Sequence, residues 1–501
     1  LVLLLLLLSR PDPVTAASTE SDREGFALVL GGGGARGFAH IGVLHALDEL
    51  GLTPSLVVGT SMGAIVGSLY ASGLDVDAIE DTAEARSWLR ILLDRGVAPE
   101  PIQSGWSGLA SAQVRLQLDA WPPRLPAGAS HGHAAEALLG TRVAAAAFAA
   151  DNDFDALPVP FRAVATDLVA GERVVFDHGP LPRVVRASGS LPVIFVPVEL
   201  DGRLLVDGGI VENLPLRVAR ELGFERALVV DVSSAFLPIE EVPDDFFSLV
   251  ERSTQLVQMA ENRIDPAPGD VVLRLDLRDH TFLSFYSMPE IVARGYEMAM
   301  AHRDEILALA DASGPAARRP RPPAPDVGPQ PLVEVEVRGA RRMSDWSIRK
   351  RLGVAPGDTI SLDALYVRAE ELARQSLFES IWVEPRPVPG GAHVTVHVDE
   401  SDRPELEIAA NYRDEIGPGA LLRLRLDNRF GAGGSRALSW RIDPETAALR
   451  LDTAVPIGGA RDFEFRLGGG WVNERIDVQR AGGDAWHFRR GVVVAEAVRA
   501  W

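Results

Sequence analysis

Three short stretches of this chain set a reactive side chain or bare backbone among glycines. The first is Gly59-Thr60-Ser61-Met62-Gly63, between an apolar run ending at Val58 and the helix-forming Ala64-Ile65-Val66. A serine at a tight strand-to-helix turn is held in a strained conformation with its hydroxyl presented outward. Gly59 and Gly63 leave the room such a turn needs. This is the setting of a nucleophile. The second is Gly31-Gly32-Gly33-Gly34-Ala35-Arg36-Gly37, between strand-like Ala27-Leu28-Val29-Leu30 and a helical stretch over 38–50. Bare N–H groups at a helix start attract negative charge. The third is Asp207-Gly208-Gly209, after Arg203-Leu204-Leu205-Val206. Alone it reads as a turn. At a strand end, in the same domain as Ser61, Asp207 is the candidate base.

The glycine loop has a rival reading. Gly32-x-Gly34-x-x-Gly37 also satisfies the dinucleotide fingerprint, but there the next strand should end in an acid for the ribose. Here it ends in Gly59-Thr60-Ser61. The loop is therefore read as an oxyanion hole, with Gly32, Gly33 and Gly34 offering N–H groups to a tetrahedral intermediate. One such donor is worth roughly 3 kcal/mol of barrier. Arg36 steadies the loop or the anion, and a plain surface arginine fits nearly as well.

Histidine is the usual partner of a nucleophilic serine, and the chain has ten. His40 and His45 fall in the helix after the glycine loop, where packing roles are expected. His131 and His133 lie in a small-residue loop and His178 in a turn. His280, His302, His393, His397 and His487 lie well beyond the core motifs. A Ser-His-Asp arrangement stays open, because sequence order does not fix one. A direct Ser61–Asp207 pair is simpler. With a reference pKa of about 3.9, its carboxylate must touch the hydroxyl in a partly dry cleft that raises its basicity.

These groups need a frame. Residues 26–312 alternate strand-like stretches (26–30, 55–58, 161–166, 203–206, 227–232, 271–277) with helical ones such as 38–50 and 214–222. That alternation predicts an α/β domain, a mostly parallel sheet with helices on both faces and its chemistry at the carboxyl ends of strands. Segments 88–93 and 105–121 read as a buried helix pair; a lid or membrane-facing surface is the alternative.

Residues 313–331 are Pro-rich and aperiodic, a semi-extended linker whose arginines read as solvated. Residues 332–400 run β-α-α-β-β, a small α+β domain. From 404 to 501 apolar and charged residues alternate with a period of two, as in Leu422-Arg423-Leu424-Arg425-Leu426 and Leu438-Ser439-Trp440-Arg441-Ile442. A soluble sandwich would also alternate. Long hairpins with a strongly charged inner face fit an antiparallel membrane β-barrel better, although roughly six strands are fewer than the eight or so that a closed bacterial barrel needs. Residues 1–19 open on an unbroken run of Leu and Val to Leu8 with small residues at 15–18. They read as a signal-peptide remnant, and Leu1 in place of Met as a start inside a longer protein.

The bulk figures agree. At 501 residues, 47% hydrophobic and 24% charged, several globular domains are expected. A net charge of −20 argues against nucleic acid as a partner. With no cysteine there are no disulfides and no thiol chemistry.

Together Gly32–Gly37, Gly59–Gly63 and Asp207–Gly209 resemble, in order, the three motifs of the patatin-like phospholipase family. Ala187-Ser188-Gly189-Ser190-Leu191-Pro192-Val193-Ile194-Phe195 resembles the family's segment ahead of its aspartate. The resemblance covers about 26–310. It implies lipid acyl hydrolysis by a Ser61–Asp207 dyad on phospholipid, with no metal or other cofactor. The unit at 332–400 resembles a POTRA domain by element order. Hydrolase, POTRA-like unit and barrel together resemble the patatin-type (type Vd-like) autotransporters of Gram-negative bacteria. That implies association with the outer membrane through the C-terminal barrel and a hydrolase at the cell surface or secreted. Two alternatives stand beside this: a thioesterase or peptidase on the same elbow, and an outer-membrane secretion or assembly protein whose front domain is cargo.

Overall fold

Short, wholly apolar strands are accommodated only where both faces of their sheet are covered. In the computed structural model β1 (Ala27–Leu30) and β2 (Leu56–Thr60) are such strands, buried at every position. They pair in parallel with each other; β5 (Phe161–Asp167) and β10 (Ala227–Asp231) extend the sheet in parallel, and β11 (Val271–Arg274) adds beyond β10. β9 (Arg203–Asp207) runs antiparallel to β5, β8 (Val198–Leu200) antiparallel to β9, and β6 (Glu172–Phe176) also pairs with β5. The order is β11-β10-β1-β2-β5-β9-β8. The reversal at β9 has a local cause. Asp201 and Gly202, both at positive φ, form a two-residue turn that folds β8 directly back onto β9. A small parallel pair joins β4 (Gly128–Ser130) to β7 (Val193–Phe195).

The structure describes residues 24–498 except 85–87, 93, 95–111, 120, 124, 234–263, 375–376, 402, 414–416, 427–434, 444–445, 457–463 and 477–485. The leader-like segment at 1–19 lies outside the described residues.

Alternation along the strands divides the core in two. Leu28, Leu30 and Val57 pack with α1 (Ala39–Glu49), α2 (Met62–Ala71), α3 (Val76–Glu84), α5 (His133–Ala149), α6 (Leu181–Ser188), α9 (Met288–Ala301) and α10 (Arg303–Ala312). Ala27, Val29, Leu56 and Val58 pack on the other side against α8 (Leu216–Glu221). Two short helices, α4 (Trp88–Leu92) and α7 (Gly209–Glu212), complete the unit. The helix pair expected at 88–93 and 105–121 is half present. α4 is a helix, but residues 112–117 form β3 (Ala112–Gln117), an edge strand paired antiparallel with a strand of the last sheet; residues 105–111 lie outside the described residues.

The Pro-rich stretch after α10 is mostly exposed, at 318–320 and 322–324 among others, but Arg321 and Ala324 tie it to the α/β unit. Arg321 donates to the carbonyls of Tyr70 and Leu74 at the end of α2, its guanidinium 4.1 Å from the Tyr70 ring centre, and Ala324 N–H donates to Gly73 O. A helix C-terminus attracts such a cation.

Next come β12 (Gln330–Arg338), α11 (Asp345–Leu352), β13 (Thr359–Ile360), α12 (Leu362–Ala373), β14 (Phe378–Val388) and β15 (Gly391–Glu400), in sheet order β13-β12-β15-β14. Two-residue β13 is the one element the pattern did not give. Ser344 caps α11, accepting from Ser347 N–H at 3.3 Å. This unit shares a core with α5, whose Ala144 and Phe148 join the cluster of Leu365, Tyr366 and Leu372. Gly140 makes the approach possible, since a Cβ there would stand 2.2 Å from the Tyr366 ring.

The last sheet is an antiparallel meander of β16 (Glu405–Arg413), β17 (Gly417–Arg425), β18 (Ser435–Ile442), β19 (Thr446–Pro456), β20 (Glu464–Ile476) and β21 (Trp486–Val498), with β3 on the free side of β16. Register aligns Ile408, Leu422, Trp440 and Leu449 across four strands. Trp440 and Leu449 are nearly half exposed, while Glu407, Ser439 and Arg441 of the opposite face are buried. On that face Arg423 bridges Glu407 and Ser439. A water-soluble sheet distributes these residues the other way round.

Candidate active site

Register brings the serine and the aspartate level. Thr60 on β2 pairs with Val164 on β5, and the next β5 residue, Ala165, pairs with Asp207 on β9. Ser61 and Asp207 thus meet across β5, and the Ser61 hydroxyl donates to Asp207 Oδ2 at 2.7 Å. The chain after Asp207 crosses close over β5. A Cβ on Gly208 would stand 2.1 Å from the Val164 carbonyl oxygen, so only glycine fits. Gly209 then donates its N–H to Asp207 Oδ1 at 2.8 Å.

Ser61 sits at φ 54, ψ −121, a conformation costing a non-glycine residue about 1–3 kcal/mol. What holds it there is Ser188 at the end of α6. The Ser188 hydroxyl accepts from Ser61 N–H at 2.9 Å and donates to Val164 O at 2.6 Å. On the other side the Ser61 carbonyl starts α2, accepting from Ala64 and Ile65. Gly59 is the next-to-last residue of β2 and Gly63 lies in the first turn of α2.

Asp207 is 4% exposed. Burial raises its carboxyl pKa to about 6, and the hydrogen bonds from Ser61 and Gly209 hold the rise in check. The carboxylate is therefore a far better proton acceptor than a solvated one, yet still ionised at neutral pH. Its two carboxylate partners are Ser61 and Gly209, with no histidine. His40 is wholly buried; burial lowers its pKa to about 4, and the neutral ring donates from Nε2 to Gly31 O. His133 faces Asp94 and His45 faces Glu80.

The glycine loop is braced from both sides. Asn213 accepts the Gly32 N–H on its carbonyl at 3.2 Å and donates from its amide to Gly32 O at 3.1 Å. Ala35 N–H donates to Phe282 O. This corrects the reading of Gly32: its N–H is engaged and is not a free donor. Among the described residues the N–H groups of Gly33 and Gly34 have no protein acceptor, and both residues line the cavity that holds Ser61. Gly37 falls within the short 3-10 turn Gly34–Phe38 that opens α1. Arg36 is not a surface arginine. It is 5% exposed, lines the same cavity and donates to His280 O.

That open cleft has apolar walls from Met62, Ile65, Leu139 and Phe195 and places Ser61, Asp207, Arg36 and Asn213 together. The site can place an ester carbonyl between a hydroxyl with an adjacent base and unpaired main-chain donors. Among the described residues one group, Asp279, His280 and Glu290, clusters possible metal donors. Arg294 already spans its two carboxylates at 2.6 and 2.7 Å.

Sequence reasoning had quoted Ser188 only as part of a motif and missed Asn213 and Phe282. Ser188 carried a usable signal, a small hydroxyl residue at a helix end beside glycine. Asn213 and Phe282 carried none, because Asn213 reaches the loop with its carbonyl and its side-chain amide from 181 positions away and Phe282 acts through its backbone carbonyl.

Residues 28–220 match the family model for patatin-like phospholipase. An uncharacterized NTE family protein of Mycobacterium tuberculosis (strain ATCC 25618 / H37Rv) is 36% identical over 228 residues, 45% of this chain and 54% of that protein. Patatin-like phospholipase domain-containing protein 6 of Homo sapiens is 35% identical over 210 residues, 42% of this chain and 13% of its own length. Among solved structures, VipD from Legionella pneumophila aligns over 58% of this chain and 67% of its own at a TM-score of 0.36 and 16% identity. The chain thus spans about half of the mycobacterial relative and a small part of the human one. Over residues 28–220 the chain matches the patatin-like phospholipase model, and it is similar to NTE-family and patatin-like phospholipase domain-containing proteins.

Proposed function

We propose that the front unit is a lipid acyl hydrolase of the phospholipase A type. The observation that carries this is the 2.7 Å hydrogen bond from Ser61, at a strained elbow, to a buried carboxylate. Asp207 takes the Ser61 proton as the serine oxygen attacks the ester carbonyl, and the amides of Gly33 and Gly34 hold the oxyanion. Asp207 returns the proton to the departing lysolipid oxygen, leaving an acyl-serine. Water, its proton taken by Asp207, then attacks the acyl carbonyl, and the bond to Ser61 Oγ breaks as Asp207 returns that proton to it, releasing the fatty acid. Arg36 acts on the loop through the His280 carbonyl. The test is covalent labelling of Ser61 by an alkyl fluorophosphonate, with lipid products read by mass spectrometry. Thioester or peptide cleavage without phospholipid cleavage would favour the alternative hydrolases.

For the rest of the chain the reading is a POTRA-like unit followed by part of an outer-membrane barrel that carries the hydrolase, as in a patatin-type autotransporter. The apolar stripe through Trp440 and Leu449, opposed by buried Glu407 and Arg441, supports a lipid-facing outer surface and a polar interior. No described helix is long and apolar enough to cross a membrane, and a barrel needs none. Localisation to a Gram-negative outer membrane, with the hydrolase surface-exposed or secreted, is part of the same proposal. Fractionation of cells expressing the full-length protein tests it; recovery in the cytosol would reject it.

A further inference from the structure

The space above Ser61 does not end at the nucleophile. A second, smaller apolar cavity lies beside the first, and the two share Met62, Ile65, Trp88, Ile91, Ala135 and Leu139 as common wall. Met62 and Ile65 follow the nucleophile by one and four residues on α2, so the join begins at the reacting atom. The first cavity holds all the charged groups, Arg36, Arg186 and Asp207; the second is lined by none. Among the residues that line it and not the first cavity are Ile79, Thr82 and Ala83 of α3, which at this spacing occupy one helix face. The Thr82 hydroxyl is already donated to Ala78 O at 2.7 Å, so the wall offers no free donor.

Trp88 stands at the join. It lines both spaces, donates its indole N–H to Ala83 O at 2.8 Å, stacks on Phe285 and meets Phe38 edge-on. Phe285 lines only the first cavity and Phe38 only the second.

We infer that the second cavity is the terminal part of an acyl-chain site, and that the α3 face of Ile79, Thr82 and Ala83 is the stop that sets the longest chain accepted. This rests on the hydrolase reading only for where the ester sits. A head group cannot occupy the second cavity, because its phosphate and hydroxyls would lose water and find no partner. An alkyl chain has no such loss, and each methylene buried there adds to binding. The site is therefore specific for the length of a straight acyl chain whose ester end lies at Ser61.

The test uses the full chain and p-nitrophenyl esters from butyryl to stearoyl. In the unmodified protein kcat/KM should rise by up to about fourfold per added methylene and then level off where the chain reaches α3. Ala83→Phe narrows the second cavity and should bring that plateau several methylenes earlier. Ile79→Ala enlarges it and should move the plateau later, which keeps the test decisive if Ala83→Phe does not fold. The same plateau in all three proteins would overturn the inference. A second arm measures displacement of a fluorescent fatty acid by decanoate and palmitate from Ser61→Ala and from Ser61→Ala carrying Ala83→Phe. Loss of palmitate binding with retention of decanoate binding in the double variant supports the stop, and equal palmitate binding rejects it. Should no ester be cleaved while this binding pattern holds, the hydrolase reading has failed and the acyl site stands.

Discussion

The Ser188 hydroxyl bridges the Ser61 amide and the Val164 carbonyl, so the nucleophile's backbone is held by a side chain from a helix 127 residues away in sequence. Ser188→Ala would leave a buried N–H unpaired, at a cost of about 1–3 kcal/mol. The elbow can escape that cost by relaxing from its strained φ. The expected result is a kcat lower by about ten- to a hundredfold, with KM little changed and Ser188→Thr restoring most of the rate. Steady-state kinetics on a short ester checks it; an unchanged kcat in Ser188→Ala would remove Ser188 from the machinery.

Ser61→Ala and Asp207→Asn should each abolish ester cleavage. If Asp207→Asn kept most of the activity, a direct serine–aspartate mechanism would be wrong.

The raised pKa of Asp207 fixes the pH dependence. The base must be ionised, so kcat/KM on an uncharged ester should fall about tenfold per pH unit below about 6 and be flat above it. A limb near the reference carboxylate value would mean that the cleft is wetter than its burial implies.

The same shift makes a stability prediction of opposite sense. Folded Asp207 holds its proton up to about pH 6, whereas a solvated aspartate gives it up near about 3.9. The folded state therefore binds more protons between these values, and stability falls as pH rises through the window. The buried charge costs about 3 kcal/mol at pH 8. Asp207→Asn should then melt higher than the unmodified protein at pH 8, with the gain gone by pH 4. Thermal melts at both pH values decide it; no gain at pH 8 would count against the raised pKa.

On the meander, Trp440→Arg places a charge in the exposed apolar stripe. If that surface lies in lipid, folding into vesicles should lose about 2–4 kcal/mol near the bilayer midplane. Urea titration in lipid measures the loss, and an unchanged midpoint would put the stripe in water or against protein.

The sequence was most legible where a residue type has few structural uses. Glycines flanking a serine between strand and helix have few other uses, and the aspartate before two glycines, a turn when read alone, lies 2.7 Å from that serine's hydroxyl. The parallel core was legible from uninterrupted apolar runs such as Ala27–Leu30. What stayed hidden was orientation and partnership. β9 reads like the other strands, and its reversal is set by the Asp201-Gly202 turn. The engagement of Gly32 depends on an Asn213 carbonyl, which any residue would supply. β3 was read as helical because its pairing partner, β16, lies nearly 300 positions later. Arg321 read as solvated because nothing local announces the carbonyls of α2.

The fit of Tyr366 against Gly140, inside a core that α5 shares with α12, bears on how the front unit would separate from the rest of the chain. A protease that nicks the Pro-rich stretch would sever the chain without detaching the two halves, which would stay clasped through that buried contact. Shedding of the hydrolase would then need prying as well as cutting, for example by a bulky residue at position 140 or by a partner that claims the Tyr366 face.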